Sequence, residues 1–309
     1  MYVAGRPAVT GSEEDEELEK QLKLLNKPAS KTIKTEHGDI IDCVDIYKQP
    51  SLDHPALKNH TIQMEPSAFP EELRGQGTPL ASSNLMEVKP RRLTCPRGTV
   101  PIPRIQKEDL IRIRSLPKTT EANTYNPSDN DIHVTHVDAN SQTGCYNNYC
   151  PGFVQVGSIP LNQVLEPNHG DFQYTLDLVV FKDTMTKNWW LAVSKSRSVV
   201  GYWPANLFNL LKDNAKSVVW GGATYSPGNE TGLEMGSGQF LPNQESKTSY
   251  AGDLMVVDGW NRYRELNNYK IDTYADKPDC YAVDYRGSIG EPLGYNVLFG
   301  GPGGLKCGK

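Results

Sequence analysis

Short apolar runs that end in glycine or proline constrain this chain more than any other feature of its sequence. In the stretch 199–238, the run 199–203 ends at Pro204 and the run 218–220 ends at Gly221. Glycine at such a place suits a backbone that passes close to another strand or to a bound ligand. The chain carries 22 prolines and 27 glycines among 309 residues, so the sequence predicts many short strands joined by turns.

The same stretch supplies the candidates for a binding groove. Tyr202 and Trp203 close the first apolar run, and Trp220, Gly221 and Gly222 close the second. Large aromatic faces beside glycine suit the wall of a groove, although an aromatic residue at a strand end is more often part of the core. Both interpretations of these five residues stay open at this point.

Residues 144–309 have the pattern of an all-β domain. Residues 172–181 alternate and predict one long strand, residues 189–193 return as its hairpin partner, and another strand is expected at 254–257. A short helix is expected over 205–214, after Pro204. The fold class is therefore mainly β, an antiparallel β-sandwich of jelly-roll type. The residues predicted on the apolar face of the long strand are Phe172, Tyr174, Leu176, Leu178 and Val180.

Residues 1–118 predict a small α+β region that docks on the rest of the chain. Ser12 is placed to cap a helix whose first turn is acidic and which ends at Asn26. A strand is expected over 40–47, an extended loop over 49–94 and a second helix over 106–116. The predicted organisation is thus 1–118, an irregular and shortened junction at 119–143, and the sandwich at 144–309.

Charge and hydropathy exclude several kinds of partner. A net charge of -5 argues against nucleic acid or an anionic membrane surface. No run of about 18 apolar residues is present to span a membrane. Residues 1–12 carry no apolar segment of the secretory type, so the chain as written has no signal peptide.

Six cysteines sort by region into three local pairs, which is the pattern of an oxidising compartment. The sequons at Asn59 and Asn229 are glycosylation candidates there. Buried free thiols are the alternative. Cysteines typical of a secreted protein, in a chain without a secretion signal, lead us to expect a truncated or misassembled N-terminus. The expected disulfides are Cys43–Cys95, Cys145–Cys150 and Cys280–Cys307.

The segment 129–138 contains residue types that can bind a metal, but in an unsuitable arrangement. Asp131 and His133 fall on one face of a predicted strand, and His136 and Asp138 fall on the other, so the four cannot converge on one ion. We expect a solvated edge strand there, with neither a metal nor a cofactor.

A resemblance to a known family rests on a series of motifs in order along nearly the whole chain. The chain resembles the plant neprosin family, and its N-terminal region resembles that family's activation peptide, in the helix from Ser12 and in residues 39–50 and 54–60. The motifs that resemble the family are Cys95-Pro96-Arg97-Gly98-Thr99-Val100-Pro101-Ile102, Thr143-Gly144-Cys145-Tyr146-Asn147, Cys150-Pro151-Gly152-Phe153-Val154-Gln155, Asn188-Trp189-Trp190-Leu191, Val200-Gly201-Tyr202-Trp203-Pro204, Trp220-Gly221-Gly222 and Met235-Gly236-Ser237-Gly238-Gln239-Phe240.

The resemblance implies a secreted glutamic-class endopeptidase that cleaves near proline, built as a β-sandwich with a removable propeptide. Two glutamates would work as general base and as acid. The family's second glutamate directly follows the Trp-Gly-Gly run, where this chain has Ala223. The first lies in a segment with a Gly-Trp pair ahead of the Thr-Gly-Cys-Tyr-Asn motif, and residues 118–142 contain no such pair. We therefore expect an incomplete sandwich and no intact catalytic residue.

The residues support two functional hypotheses. In the first, the chain is an inactive member of the family whose groove at most binds extended Pro-containing peptide or cell-wall glycoprotein. In the second, it is an active proline-directed peptidase with substitute acids, Glu230 or Glu234 with Asp138. Loss of a general acid or base removes about 10²- to 10⁴-fold of rate, which favours the first. A glycan-binding sandwich is a third hypothesis that rests on fold alone.

Overall fold

A computed structural model describes most of the chain. The described residues are 11–71, 85–87, 90–115, 135–137, 144–146, 148–149, 151–161, 173–193, 197–209, 211–224, 226, 231–240, 248–290 and 293–307. In this part of the chain the protein is mainly β, as predicted, and its strands pair antiparallel apart from one short parallel pair, β3 with β8. The helices are α1 (Gly11–Leu25) and α2 (Lys107–Ser115). The strands are β1 (Ala29–Lys34), β2 (Ile40–Asp45), β3 (Leu85–Glu87), β4 (Thr99–Pro103), β5 (Thr135–Val137), β6 (Gly144–Tyr146), β7 (Val154–Gln155), β8 (Gln173–Thr175), β9 (Leu178–Lys182), β10 (Trp189–Val193), β11 (Ser198–Trp203), β12 (Ser249–Ala251), β13 (Met255–Val257), β14 (Tyr263–Glu265), β15 (Ala282–Ser288) and β16 (Tyr295–Gly300).

The two N-terminal helices lie where the sequence predicts them and pack on each other. Leu18 and Leu25 of α1 are buried in one cluster with Leu110 of α2. Asn26 follows α1 and makes two hydrogen bonds with the backbone of Ile105, donating from Nδ2 at 2.8 Å and accepting at Oδ1 at 2.9 Å. This amide therefore fixes the end of α1 against the chain that leads from β4 into α2.

Between these two helices along the chain lies a three-stranded sheet in the order β1-β2-β4. β2 lies in the middle and buries the residues from Ile41 to Val44, because both of its edges are paired. The predicted strand 40–47 is two residues too long, since Asp45 caps a 3₁₀ turn by accepting a bond from the Tyr47 backbone, and the Tyr47 side chain is exposed. The Cys43–Cys95 disulfide ties β2 to the segment that precedes β4.

The central sheet has the order β7-β11-β10-β9 and is apolar on both faces. One face forms a cluster around Leu191, Val200 and Trp203, and the other forms a cluster around Phe181, Trp190 and Tyr202. A strand that is buried on both faces loses the simple alternation of apolar and polar residues. Periodicity is therefore a weak guide to the orientation of these strands.

Three local predictions are wrong. The alternating segment 172–181 is two strands, β8 and β9, and in β9 the buried side chains are Val179 and Phe181, while Leu178 and Val180 are half exposed. Both sets are apolar, so periodicity could not choose the inner face. The expected helix 205–214 is only a 3₁₀ turn, Ala205–Leu207. The run 218–220 is not a strand, and it exposes its valines to solvent.

The N-terminal region crosses the second face of the central sheet as an irregular segment, residues 49–71, which we call the strap and which begins with two 3₁₀ turns, Pro50–Asp53 and Pro55–Leu57. The strap buries Leu57 in the cluster with Trp190 and Tyr202, and Leu52, Ile62 and Phe69 pack against the same cluster. The expectation that the N-terminal region docks on the rest of the chain is therefore confirmed, and the strap is the segment that does so.

The C-terminal strands form two further sheets. β16 lies between β12 and β15, and β13 pairs with β14 as a hairpin. The Cys280–Cys307 disulfide connects the start of β15 to the end of the described chain. In the described segments, no helix is long and apolar enough to cross a membrane.

Candidate functional site

The groove candidates Tyr202 and Trp203 lie on opposite faces of β11. The Tyr202 ring contacts the Trp190 ring with centroids 4.6 Å apart, and the Trp203 ring meets the Phe153 ring edge-on at 4.8 Å. Both side chains are almost fully buried. They therefore do not line one open groove, and only Tyr202 faces the strap.

Tyr202 receives the strap through its hydroxyl group. The backbone N–H of Gln63 donates to the hydroxyl oxygen at 2.9 Å, and Nε2 of His60 lies 2.7 Å from the same oxygen. Burial raises the pKa of Tyr202 to about 12, so the hydroxyl is neutral in any ordinary buffer. Burial also lowers the pKa of His60. A neutral His60 can then accept the hydroxyl proton of Tyr202 while the oxygen accepts from Gln63.

Asp183 is a second anchor for the strap, at the turn between β9 and β10. Its Oδ2 accepts from the Ser67 backbone N–H at 2.6 Å and from Nε2 of Gln63 at 3.0 Å, while Oδ1 accepts from the backbone of Met185 and Thr186. Burial alone would raise the pKa of Asp183, but these four donors together lower it below its usual value. The carboxylate is therefore ionised and organises its own turn and the strap together.

Gln49 and Gln155 make a third anchor, at β7. Nε2 of Gln49 donates to the backbone carbonyl of Gln155 at 3.1 Å, and Oε1 of Gln49 accepts from the Gln155 backbone N–H at 2.8 Å. This amide thus pairs with β7 as a neighbouring strand would. Both glutamines are buried.

The Trp-Gly-Gly run lies in the C-terminal part of the fold. Trp220 is half-buried against the cluster of Leu254 and Val297. Gly221 has open space around it, whereas a Cβ on Gly222 would lie 2.7 Å from Met235 Sδ, so a larger residue there would have to displace the Met235 or Phe299 side chain.

Ala223 comes directly after this run and is half-buried. Its methyl group supplies neither a proton nor a charge, so the position that the family resemblance assigns to the second glutamate has no acid–base chemistry.

Glu234 is the substitute acid that lies within the described residues. It is exposed, and a Cβ added to Gly238 would lie 2.6 Å from its Oε2, so the carboxylate folds over its own turn. Gly236 and Gly238 have φ of +66° and +70°, which favours glycine at both positions. Glu230 and Asp138, the other substitute acids, lie outside the described residues.

Several further predicted residues can be placed. Asn59 is exposed on the strap, while Asn229, Asp131 and His133 lie outside the described residues. Within the strand expected over 129–138, the described residues Thr135–Val137 form β5, which pairs with β6. Of the three predicted disulfides, Cys43–Cys95 and Cys280–Cys307 are formed, and the Cys145–Cys150 pair lies outside the residues whose side chains are described.

Sequence reasoning missed the strap as the partner of Tyr202. Its anchors, His60, Gln63 and Ser67, bind through backbone groups and polar side chains that show no periodicity. The available signal was indirect: a segment with little periodicity that contains apolar residues such as Leu57 and Phe69 is expected to bury several of them on a neighbouring surface.

Two family models match the chain. The model described as Neprosin matches residues 119–302, and the model described as Neprosin activation peptide matches residues 32–146. The strap lies within the second match, and the central sheet from β7 onward lies within the first. The first match covers more than half of the chain, and together with the mainly β fold it establishes that this protein belongs to the neprosin family and carries the activation peptide of that family.

Proposed function

We propose that this protein is a secreted member of the neprosin family that does not cleave peptides and that retains binding of extended Pro-containing peptide. The observation that carries the proposal is Ala223, directly after the Trp-Gly-Gly run. A glutamic-class mechanism needs one carboxylate as general base and a second as acid, and loss of both members of a coupled pair leaves little besides binding.

The retained packing around the Trp-Gly-Gly run supports loss of chemistry rather than loss of the scaffold. Gly222 still fits against Met235 and Phe299, and Trp220 still packs on the C-terminal core. A carboxylate can be lost from a surface without cost to packing. The missing charge is therefore compatible with a stable fold.

Peptide binding is supported by the strap itself. The strap contains Pro66 and Pro70, and it is bound to the described domain through its backbone at Gln63, Ser67 and Glu71. Groups on the domain that hold one extended Pro-containing chain have the chemistry to hold another. Proline-containing peptide or cell-wall glycoprotein is therefore the expected partner class.

Secretion is supported by the cysteine chemistry. The Cys43–Cys95 and Cys280–Cys307 disulfides persist in oxidising compartments. The exposed Asn59 is accessible to a glycosylating enzyme.

The proposal is tested by incubating the purified full-length protein with a proline-rich peptide at acidic pH and measuring products by mass spectrometry. We expect no turnover by the protein or by its Ala223→Glu variant, because restoring one carboxylate does not restore the pair. Turnover that Glu234→Gln abolishes would establish the substitute-acid mechanism instead, since Glu234 neighbours the residue that packs on Gly222.

A further inference from the structure

The last part of the strap contacts the β13–β14 hairpin through a single β-bridge. Glu71 pairs in parallel with Arg262. Its backbone N–H donates to the Asn261 carbonyl at 2.9 Å, and its carbonyl accepts from the Tyr263 backbone N–H at 3.3 Å. Nδ2 of Asn261 donates to the Phe69 carbonyl at 3.1 Å. The hairpin therefore holds residues 69–71 largely through their backbone.

In residues 67–71, the side chains that pack against the protein are those of Phe69 and Pro70. The Phe69 ring packs on the Phe181 ring with centroids 5.7 Å apart, and the Arg197 guanidinium lies 5.9 Å from its centroid. Pro70 is buried, whereas Ser67 and Ala68 are exposed. The site thus recognises an aromatic residue followed by proline and places little demand on the neighbouring side chains.

Proline suits the buried position for a physical reason. A buried backbone N–H without a partner costs free energy, and proline has none. Proline also restricts the residue before it to extended conformations, which is the backbone that the hairpin accepts. An aromatic–proline pair therefore loses less entropy on binding than another pair of apolar residues would.

The hairpin is organised by contacts that do not involve the strap. Asp258 accepts from the backbone N–H of Trp260 and of Arg262, and from Nε of Arg264 at 2.6 Å. Asn261 has φ of +61°, a conformation that asparagine tolerates better than most residues. The binding surface is preformed by this turn.

We propose that the β13–β14 hairpin and Phe181 form a binding site for an aromatic–proline segment of another polypeptide, which the protein's own Phe69–Pro70 occupies in cis. The proposal rests on the proposed peptide-binding function and names its ligand. When the end of the strap is displaced, an extended peptide with the same pair takes its place and forms the same backbone bonds.

Binding of a labelled peptide to the full-length protein tests this site. The receptor is the Phe69→Ala/Pro70→Ala variant, whose strap loses its two inward side chains and therefore competes less well for the hairpin, while the anchors at Gln49 and Gln63 remain. The probe is a fluorescein-labelled peptide of residues 64–71, Met-Glu-Pro-Ser-Ala-Phe-Pro-Glu, and its binding is measured by fluorescence anisotropy. We expect this variant to bind the probe roughly tenfold more tightly than the unaltered protein, whose tethered strap competes at high effective concentration.

Matched controls separate this site from other surfaces. A probe with Ala-Ala in place of Phe-Pro should bind roughly tenfold or more weakly, because the half-buried aromatic anchor and the buried proline are gone. Adding Asn261→Asp to the receptor should weaken binding of the original probe by a similar factor, because the carboxylate repels the Phe69 carbonyl that the amide held. Equal binding of the two probes, or no effect of Asn261→Asp, would overturn the proposal.

A second measurement covers the case in which the double variant does not fold. The probe with benzoylphenylalanine in place of Phe is photo-crosslinked at high concentration to the unaltered protein, and the products are mapped by mass spectrometry. Crosslinks to Phe181 or to residues 258–263 support the site, and crosslinks that all fall elsewhere contradict it.

The outcomes also separate this proposal from the proposed function. If a proline-rich probe without an aromatic residue binds as well as the Phe-Pro probe, the aromatic–proline site is contradicted, whereas the proposed peptide binding still stands. Cleavage of the bound probe would overturn the proposed inactivity and leave the site intact.

Discussion

Replacing Asp183 by asparagine tests the junction between the strap and the central sheet. Asp183 is 1% exposed, and its two oxygens have different partners. Oδ1 accepts from the turn that Asp183 begins, and Oδ2 accepts from Ser67 and Gln63 of the strap. In Asp183→Asn, Oδ1 can keep the turn while an NH₂ group replaces Oδ2. The Ser67 N–H and the Gln63 Nε2 of the strap then face an NH₂ group, which cannot accept their hydrogen bonds.

The expected cost arises from these two lost bonds. A hydrogen bond to a charged group contributes about 1.5–3 kcal/mol, and the two share one acceptor, so we expect the free energy of unfolding to fall by about 2–5 kcal/mol. The Gln63 amide cannot relieve the conflict by turning over at no cost, because its Oε1 already accepts from Thr186 and Asn188. This competition keeps the expected loss at about 2 kcal/mol or more.

Urea unfolding monitored by tryptophan fluorescence measures this loss, and Asp284→Asn is the matched control. Asp284 pairs with Arg286 on the surface, with side chains 42% and 39% exposed, so its replacement should cost less than about 1 kcal/mol. Hydrogen exchange of the Ser67 amide should accelerate in Asp183→Asn alone. A loss below about 1 kcal/mol for Asp183→Asn would refute the view that this carboxylate holds the strap.

The difference in unfolding free energy between the unaltered protein and Asp183→Asn should also depend on pH. The pKa of Asp183 is lowered in the folded state, so its contribution to stability is present above the unfolded value of about 3.9 and is lost as the pH falls through the folded value. The difference between the unaltered protein and Asp183→Asn should be constant from about pH 7 to pH 5 and should shrink below about pH 4.

Three further predictions concern other parts of the fold. Burial lowers the pKa of His60, so its contribution to stability should be full above about pH 6.5 and should be lost as the pH falls below that value. His60→Gln should therefore weaken the pH dependence of the thermal midpoint between about pH 7 and pH 5.5, and an unchanged pH dependence would contradict the buried neutral imidazole. Gly222→Ala should lower the free energy of unfolding by about 1–3 kcal/mol because its Cβ meets Met235 Sδ at 2.7 Å, whereas Gly221→Ala, with nothing within 4 Å, should be nearly neutral; equal urea midpoints would contradict this packing. Removing the Cys280–Cys307 disulfide by double alanine substitution should cost about 3–4 kcal/mol, from the entropy of its loop, and a thermal midpoint that does not move would refute that expectation.

The sequence predicted those features that depend on residues within one element or on one pair of cysteines. The leucine spacing of α1 predicted that helix and its end next to Asn26, although the helix already includes Ser12, the residue that was expected to cap it. The regional sorting of the cysteines predicted Cys43–Cys95 and Cys280–Cys307. In each case the determining residues lie in the element itself or at the two ends of one bond.

Features that depend on a distant segment were not predictable in this way. Phe181 faces inward because the strap covers that face of the sheet, and neighbouring residues in β9 are equally apolar. β1 and β4 show no strand pattern of their own because one is polar and the other has alternating prolines, and both are held by pairing with β2. The sequence marks Tyr202 as a groove candidate, but its partners His60 and Gln63 lie 142 and 139 residues away along the chain.

Turnover of a proline-rich peptide by the purified protein tests the central claim most directly, since a scaffold that has lost its pair of carboxylates can bind but cannot hydrolyse. After prolonged incubation at acidic pH, mass spectrometry should find the peptide intact with the unaltered protein and with Ala223→Glu alike. Product that accumulates in proportion to protein concentration, and that disappears with Glu234→Gln, would contradict the account.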